Sequence, residues 1–144
     1  MMKIERTLEL MQAAYALQMN CHHQAKLAGW WKDRKTGADT TFDYHRDVML
    51  NGNEPKRNIA EMLCLIHSEI SEAMEGVRKN LQDDKIPSRS MLEVELADTV
   101  IRVFDMAGGL GLDLGGAIVE KLQYNANRED HKIENRSAEG GKKF

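Results

Sequence analysis

Two pairs of acidic side chains are the residues of this sequence best suited to chemistry. Glu69 with Glu72 and Glu95 with Asp98 each lie three positions apart. Residues at that spacing share one side of a helix, so each pair points two carboxylates the same way if its segment is helical. Four carboxylates that converge repel one another at neutral pH unless a cation lies among them. An all-oxygen site of this kind suits Mg²⁺ or Mn²⁺, and Mg²⁺ usually completes its shell with water and substrate phosphate.

Both pairs lie in segments whose apolar residues recur at helical spacing. Around the first pair these residues are Ile59, Met62, Leu63, Ile66, Ile70, Ala73 and Val77, and around the second they are Leu92, Leu96, Val100, Val103, Ala107 and Leu110. At about 100° per residue, the acids of both pairs are offset from their apolar stripe by about 60° and about 120° on the same side. Equal offsets bring all four acids to one flank when two packed helices are antiparallel, and the short connection over residues 83–90 favours antiparallel neighbours. The sequence therefore predicts four carboxylates that converge beside an apolar seam.

Four helices would position these groups. The apolar periodicity predicts helices over residues 4–28, 56–80, about 88–108 and 114–128. Gly29 suits the C-terminal end of the first helix. Ser90 with Glu93 resembles a capping box at the start of the third helix, and Asp113 suits the N-cap of the fourth. Residues 42–50 are compatible with a short helix inside the long connection between the first two helices.

Length and composition indicate a single globular domain. The chain has 144 residues, of which 42% are hydrophobic and 30% are charged. We predict one domain over residues 1–144, with a polar, Gly-rich tail over about 130–144 that is mobile or closes over a neighbouring subunit. The formal net charge of −3 argues against a protein that coats nucleic acid.

The sequence also indicates a compartment. Its apolar runs are too short for a signal peptide or a membrane span, so we expect no membrane contact. Cys21 and Cys64 lack a CxxC partner, and we predict that both are free thiols. Free thiols are typical of the reducing cytoplasm, which is where we expect the protein to work.

The acidic motif in its helical context resembles the signature of the MazG-like, all-α nucleoside triphosphate pyrophosphohydrolases. Glu-x-x-Glu and Glu-x-x-Asp are separated here by residues 73–94. Other stretches similar to that family are Gly29-Trp30-Trp31, Gly111-Leu112-Asp113-Leu114, Lys121-x-x-x-Asn125-x-x-Arg128 and the Gly-Gly-Lys-Lys-Phe tail. The resemblance covers most of the chain. It implies an all-α, antiparallel fold like a four-helix bundle, in a homodimer or a homotetramer (a dimer of dimers) with sites near the subunit interfaces.

The resemblance also implies a reaction. A nucleoside triphosphate and water would give the monophosphate and pyrophosphate, with Mg²⁺ or, as a possible substitute, Mn²⁺. Glu69, Glu72, Glu95 and Asp98 would be the metal ligands. One of Glu69 and Glu72, with Glu69 preferred, would also orient or deprotonate the attacking water.

Cations that could hold phosphate occur on two of the predicted helices. Lys121, Asn125 and Arg128 share one helix face, since they lie at i, i+4 and i+7. A solvated surface would explain that face, but its resemblance to the family's phosphate-contacting Lys, Asn and Arg favours a phosphate role. Lys79 either complements the dipole at the end of the second helix or contacts phosphate, and the sequence leaves both open.

The substrate base has three candidate contacts. Trp30 and Trp31 are adjacent tryptophans in a polar loop, where one would either cap the helical core or stack on a nucleobase. A lone histidine on a helix is usually a surface or a satisfied core residue. The family resemblance nevertheless places a base-contacting histidine close to His22.

Three other functions fit parts of the pattern. A dUTPase-like or phosphoribosyl-ATP pyrophosphohydrolase-like enzyme of the same fold would share the metal chemistry and differ in its base pocket. A di-iron bundle uses Glu-x-x-His pairs, whereas this sequence has Glu72 after Glu69 and Asp98 after Glu95. A non-catalytic helical interaction protein would leave the acids solvated, and its melting temperature would not respond to Mg²⁺ or Mn²⁺.

Overall fold

α-Helices are the main secondary structure in the part of the chain that the computed structural model describes, which is residues 4–129, 132–137 and 140. Within these residues lie five α-helices and one π-helix, the latter over Tyr44–Leu50: α1 (Ile4–Leu27), α2 (Ile59–Lys79), α3 (Met91–Gly109), α4 (Leu114–Ala126) and α5 (Ile133–Ser137). The prediction of an all-α protein is confirmed. The predicted mobile tail falls mostly outside the described residues, since 130, 131, 138, 139 and 141–144 are not among them.

The helix ends follow from capping residues. The side chain of Ser90 accepts a hydrogen bond from the Glu93 amide at 3.2 Å, so α3 begins where the capping box predicted. Asp113 caps α4 in the same way, accepting from the Gly116 amide at 2.9 Å. Helix α1 ends in a Schellman motif, in which Gly29 adopts a left-handed φ of +83°.

Several helix boundaries differ from the prediction by one to three residues. Helix α2 begins three residues later than predicted because Asn58 caps it, accepting from the Glu61 amide at 3.1 Å. Helix α4 ends at Ala126 rather than at residue 128, and α5 was not predicted from the sequence. Helix α5 has only five residues, too few for a periodic pattern to be seen.

The described residues divide into two compact units, and the boundaries fall after Ala16 in α1 and after Leu112. The larger unit covers residues 17–112 and contains the end of α1, the π-helix, α2 and α3. The smaller unit comprises the described residues of 1–16 and 113–144, with the start of α1, α4 and α5. The prediction of one domain over the whole chain stays a prediction.

The larger unit is built around a buried cluster of Trp31, Phe42, Met62 and Leu110. Trp31 lies so close to the backbone of α3 at Gly109 that a β-carbon there would overlap its indole ring. A glycine is therefore required at that position, and the loop that follows α1 is anchored onto α3 through the tryptophan.

Helices α2 and α3 pack against each other. A β-carbon at Gly76, near the end of α2, would lie 2.8 Å from the β-carbon of Met91 at the start of α3. Further back in α2, Glu69 contacts Arg102 in the second half of α3. The contacts run in opposite order along the two helices, so the helices are antiparallel, as the sequence predicted.

The same two helices leave apolar side chains exposed. These are Leu63, Leu65, Ile70, Met74 and Val77 of α2 and Leu92, Leu96, Val100 and Ile101 of α3. None of the helices in the described part of the chain combines the length and the apolar character needed to cross a membrane.

In the smaller unit, the start of α4 lies close to the first half of α1. A β-carbon at Gly115 would lie 3.1 Å from the carbonyl oxygen of Met11 and 3.4 Å from the β-carbon of Ala14. Glycine lets the two helices approach at this point, and Val119 is buried one turn further along α4.

Candidate metal centre

Three of the four predicted acids meet between α2 and α3. Glu69 comes from α2, and Glu95 and Asp98 come from α3; each offers a carboxylate oxygen, and these oxygens all lie within 4.8 Å of one another. Glu69 and Glu95 are buried, whereas Asp98 is exposed. We call these three residues the acid cluster. It is open to solvent on the Asp98 side.

Glu72, the fourth predicted acid, stands slightly apart. It lies one turn beyond Glu69 on α2, is exposed, and is not part of the acid cluster. Its negative charge nevertheless acts on Glu95 and helps to raise the pKa of that carboxyl. Glu72 is therefore a neighbour of the acid cluster, and a side chain of its length can approach a cation bound there.

Within the acid cluster, the pKa of Glu95 is shifted strongly. Burial away from water, a hydrogen bond with the Glu69 carboxyl, and the charges of Glu72, Glu69 and Asp98 together raise the pKa of Glu95 to about 7. Two carboxyl groups can share a hydrogen bond only if one of them holds a proton. A bound cation would replace that proton, because metal-ligating carboxylates are deprotonated.

Arg102 also belongs to the site, although it was not among the residues predicted from the sequence. Its Nε donates a hydrogen bond to Oε1 of Glu69 at 2.6 Å. Arg102 follows Glu95 and Asp98 by seven and four residues, which places it on the same face of α3. That spacing was the signal available in the sequence: a single arginine continues a stripe of acids.

The predicted base contacts His22 and Trp31 meet at a second overlooked residue, Asp105. Its Oδ1 accepts a hydrogen bond from Trp31 Nε1 at 2.6 Å and lies 3.0 Å from His22 Nδ1. The His22 and Trp31 rings pack edge to face with centroids 5.1 Å apart. Asp105 follows Arg102 by three residues and continues the polar stripe of α3.

The adjacent tryptophans have opposite environments. Trp31 is 1% exposed and belongs to the core, so neither face of its ring is open to a ligand, whereas Trp30 is 64% exposed. Arg57 holds this part of the loop, since its Nη1 donates to the Trp30 carbonyl at 2.6 Å and its guanidinium lies 5.1 Å from the centroid of the Trp31 ring. Of the two tryptophans, Trp30 is the accessible one.

Lys79 is engaged in an ion pair on its own helix. Its Nζ lies 2.5 Å from Oε1 of Glu75, and Arg78 binds the same carboxylate through Nε at 2.7 Å. These two cations lower the pKa of Glu75 to about 2. To contact a phosphate, Lys79 would first have to leave Glu75. Its phosphate role stays a prediction.

Lys121, Asn125 and Arg128 belong to the smaller unit. Within it, the two cations flank one aromatic ring: Lys121 Nζ lies 4.8 Å and the Arg128 guanidinium 5.9 Å from the centroid of Tyr124. The side-chain oxygen of Asn125 is buried and finds no hydrogen-bond partner among the described residues. The phosphate role of these three residues stays a prediction.

No protein-family model, curated protein or solved structure matches this chain. The resemblance to MazG-like enzymes therefore rests on the motif residues alone.

Proposed function

We propose that this protein is a Mg²⁺-dependent nucleoside triphosphate pyrophosphohydrolase of the MazG-like type, converting a (d)NTP and water to the (d)NMP and pyrophosphate. The observation that carries the proposal is the convergence of Glu69, Glu95 and Asp98 from two antiparallel helices. The specific reaction comes from the resemblance of the motif to that family.

The acid cluster fits Mg²⁺ by donor type and by spacing. All of its donors are carboxylate oxygens, the ligands that Mg²⁺ and Mn²⁺ prefer. Two oxygens on one Mg²⁺ ion lie at most about 4.2 Å apart, because each Mg–O distance is about 2.1 Å. The oxygens of the acid cluster lie within 4.8 Å of one another, so small side-chain movements are enough to close the site.

Each residue of the site has a distinct part in the proposal. Glu69, Glu95 and Asp98 hold the ion, with Glu72 as the fourth ligand. When bound, the ion neutralises phosphate charge and lowers the pKa of a water. One of Glu69 and Glu72 also orients the attacking water or accepts its proton. Glu69 is preferred because it is buried within the acid cluster, whereas Glu72 is exposed.

The substrate contacts are proposed by residue type. Trp30 stacks on the base, which its exposure supports. His22, held beside Trp31 and Asp105, is the second proposed base contact. We carry over the phosphate role of Lys79, Lys121, Asn125 and Arg128 from the family resemblance. The pattern leaves a dUTPase-like or phosphoribosyl-ATP pyrophosphohydrolase-like base preference open.

We further propose that the protein is a cytoplasmic homodimer or homotetramer of antiparallel, four-helix-bundle-like domains. The exposed apolar side chains of α2 and α3 support association, because apolar surface of this kind is normally covered by a partner. The free thiols of Cys21 and Cys64 are compatible with a reducing compartment.

The test is a panel of all common dNTPs and NTPs with Mg²⁺, in which pyrophosphate and orthophosphate are scored separately. We expect pyrophosphate from at least one nucleotide, and its loss in Glu72→Ala and Asp98→Ala. Glu61→Gln is the matched control, because Glu61 is an exposed acid on the same helix as Glu72 and lies outside the acid cluster. If no nucleotide is hydrolysed and Mg²⁺ does not change the melting temperature, the enzyme proposal is wrong. The protein would then be a non-catalytic helical interaction protein.

A further inference from the structure

An arginine is paired with an acid that the proposed function assigns to the metal. Arg102 Nε donates to Glu69 Oε1 at 2.6 Å. The two partners differ in exposure: 8% of the Glu69 side chain is accessible, against 44% of the Arg102 side chain. The carboxylate is thus fixed in the interior, while the guanidinium lies at the rim.

The charges explain why a cation is needed at this position. The acid cluster and its neighbour Glu72 bring four carboxylates together, and Arg102 forms an ion pair with one of them, Glu69. A buried carboxylate without a partner is costly. In the absence of a divalent cation, Arg102 therefore provides part of the positive charge that the site requires.

The position of Arg102 gives it a second partner within reach. It lies four residues after Asp98 on the same face of α3, which is about 6 Å along the helix. A long side chain rooted there can leave Glu69 without moving the helix. It then stays within one helical turn of the metal ligands, where the phosphates of a metal-bound substrate would lie. Guanidinium groups bind phosphate oxygens through two parallel hydrogen bonds.

We propose that Arg102 serves two partners in turn: it neutralises Glu69 in the metal-free protein, and it releases Glu69 to a divalent cation and contacts a phosphate oxygen of the substrate. This inference rests on the proposed function and adds a residue to it. Arg102 is then both a competitor of the metal and a determinant of substrate affinity. A purely structural ion pair would be neither.

The experiment compares Arg102→Gln and Arg102→Lys with the wild type. Arg89→Gln is the matched control, because Arg89 pairs with Glu93 at 3.2 Å near the start of α3 and outside the acid cluster. Mn²⁺ binding is measured without nucleotide by electron paramagnetic resonance, and KM and kcat are measured with the best nucleotide of the panel. The rise in melting temperature on adding Mg²⁺ is recorded for each protein.

Arg102→Gln is expected to move two measurements in opposite directions. Removal of the competing charge tightens Mn²⁺ binding roughly fivefold to tenfold. Loss of the phosphate contact raises KM roughly tenfold or more, with a smaller change in kcat. Arg102→Lys keeps the positive charge but loses the forked guanidinium, so its Mn²⁺ affinity and its KM should lie between those of the wild type and of Arg102→Gln. Mg²⁺ raises the melting temperature of Arg102→Gln more than that of the wild type, because the variant leaves Glu69 without its cation.

Two kinds of failure can be told apart. If the wild type binds Mn²⁺ and hydrolyses nucleotide, but Arg102→Gln binds Mn²⁺ equally or more weakly, or keeps its KM, then Arg102 only positions Glu69 and this inference is wrong. If the wild type neither binds Mn²⁺ nor turns over any nucleotide, the proposed function fails and the inference fails with it. Arg102→Lys and the Mg²⁺-dependent melting temperature decide the question if Arg102→Gln does not fold.

Discussion

Glu95 is buried and lies among other acidic side chains. Its pKa is raised to about 7, first by loss of hydration and then by the Glu69 carboxyl and the neighbouring charges. A carboxyl group with these properties destabilises the metal-free protein once it ionises. The proposed divalent cation would remove that cost, so the same residue would link the stability of the fold to the metal.

This arrangement predicts how stability depends on pH. In the unfolded chain the pKa of a glutamate is about 4.3, whereas in the folded protein that of Glu95 is about 7. The folded state therefore binds more protons between these values, and the stability that Glu95 contributes below pH ~4.3 is lost as the pH rises through about 7. We expect the melting temperature in EDTA to fall from pH 6 to pH 8, and to fall less in Glu95→Gln.

Thermal melts of the wild type, Glu95→Gln and the control Glu61→Gln, across pH 5 to 9 with EDTA or with Mg²⁺, measure this effect. Mg²⁺ should flatten the curve of the wild type. Parallel curves for the wild type and Glu95→Gln in EDTA would show that Glu95 ionises normally.

Substitutions at the two adjacent tryptophans are expected to have different effects: those at Trp31 should lower stability, and those at Trp30 should weaken substrate binding. Trp31→Phe removes the indole N–H that donates to Asp105 at 2.6 Å and should cost about 1–3 kcal/mol of unfolding free energy, since the acceptor is only partly exposed. Trp30→Phe changes an exposed ring and should stay within about 0.5 kcal/mol. Trp30→Ala, by contrast, should raise KM for the nucleotide. Urea unfolding and steady-state kinetics test these expectations, and equal stability losses in the two Phe variants would contradict them.

At the scale of the elements, the α2–α3 pair positions the acid cluster, and its close approach depends on Gly76. A β-carbon at this position would lie 2.8 Å from the β-carbon of Met91, which cannot rotate away because it is bonded directly to the backbone. Glycine here allows the separation at which the carboxylates of the two helices meet.

Gly76→Ala is therefore expected to destabilise the protein by about 1–3 kcal/mol. Helix propensity alone predicts the opposite, a gain of up to about 1 kcal/mol. Urea unfolding gives the sign, and Mn²⁺ titration shows whether separating the helices also weakens metal binding. A variant as stable as the wild type would mean that the two helices can shift apart at no cost.

At the scale of the molecule, the exposed apolar side chains of α2 and α3 predict self-association. We expect light scattering at micromolar concentration to give at least a dimer. Met74→Glu and Val77→Glu should shift the protein toward monomer by weakening association at least about tenfold, because a charge placed in an apolar interface loses its hydration. Gln82→Glu, at an exposed polar position after α2, is the control. A wild-type protein that is monomeric and active would refute the proposed oligomer.

Local interactions explain how much of the fold was predictable. Helix caps form between residues a few positions apart, as they do at Ser90, Asp113 and Gly29. The residue types at these positions therefore predict the helix ends. The convergence of three acids was also predictable, because helical geometry fixes the angle of each side chain. Only the relative direction of two helices had to be chosen, and the short connection between them indicated it.

Contacts between distant residues were not predictable in this way. Arg102 pairs with Glu69 across 33 positions, and Asp105 meets Trp31 across 74 and His22 across 83. Which of the two tryptophans enters the core, and which acid of the first pair is buried, depend on how the loop and the helices pack. A sequence by itself determines helices, their ends and their faces, because these depend on neighbouring residues. The partner of each charged or aromatic side chain depends on packing, and only the folded chain brings those partners within hydrogen-bonding distance.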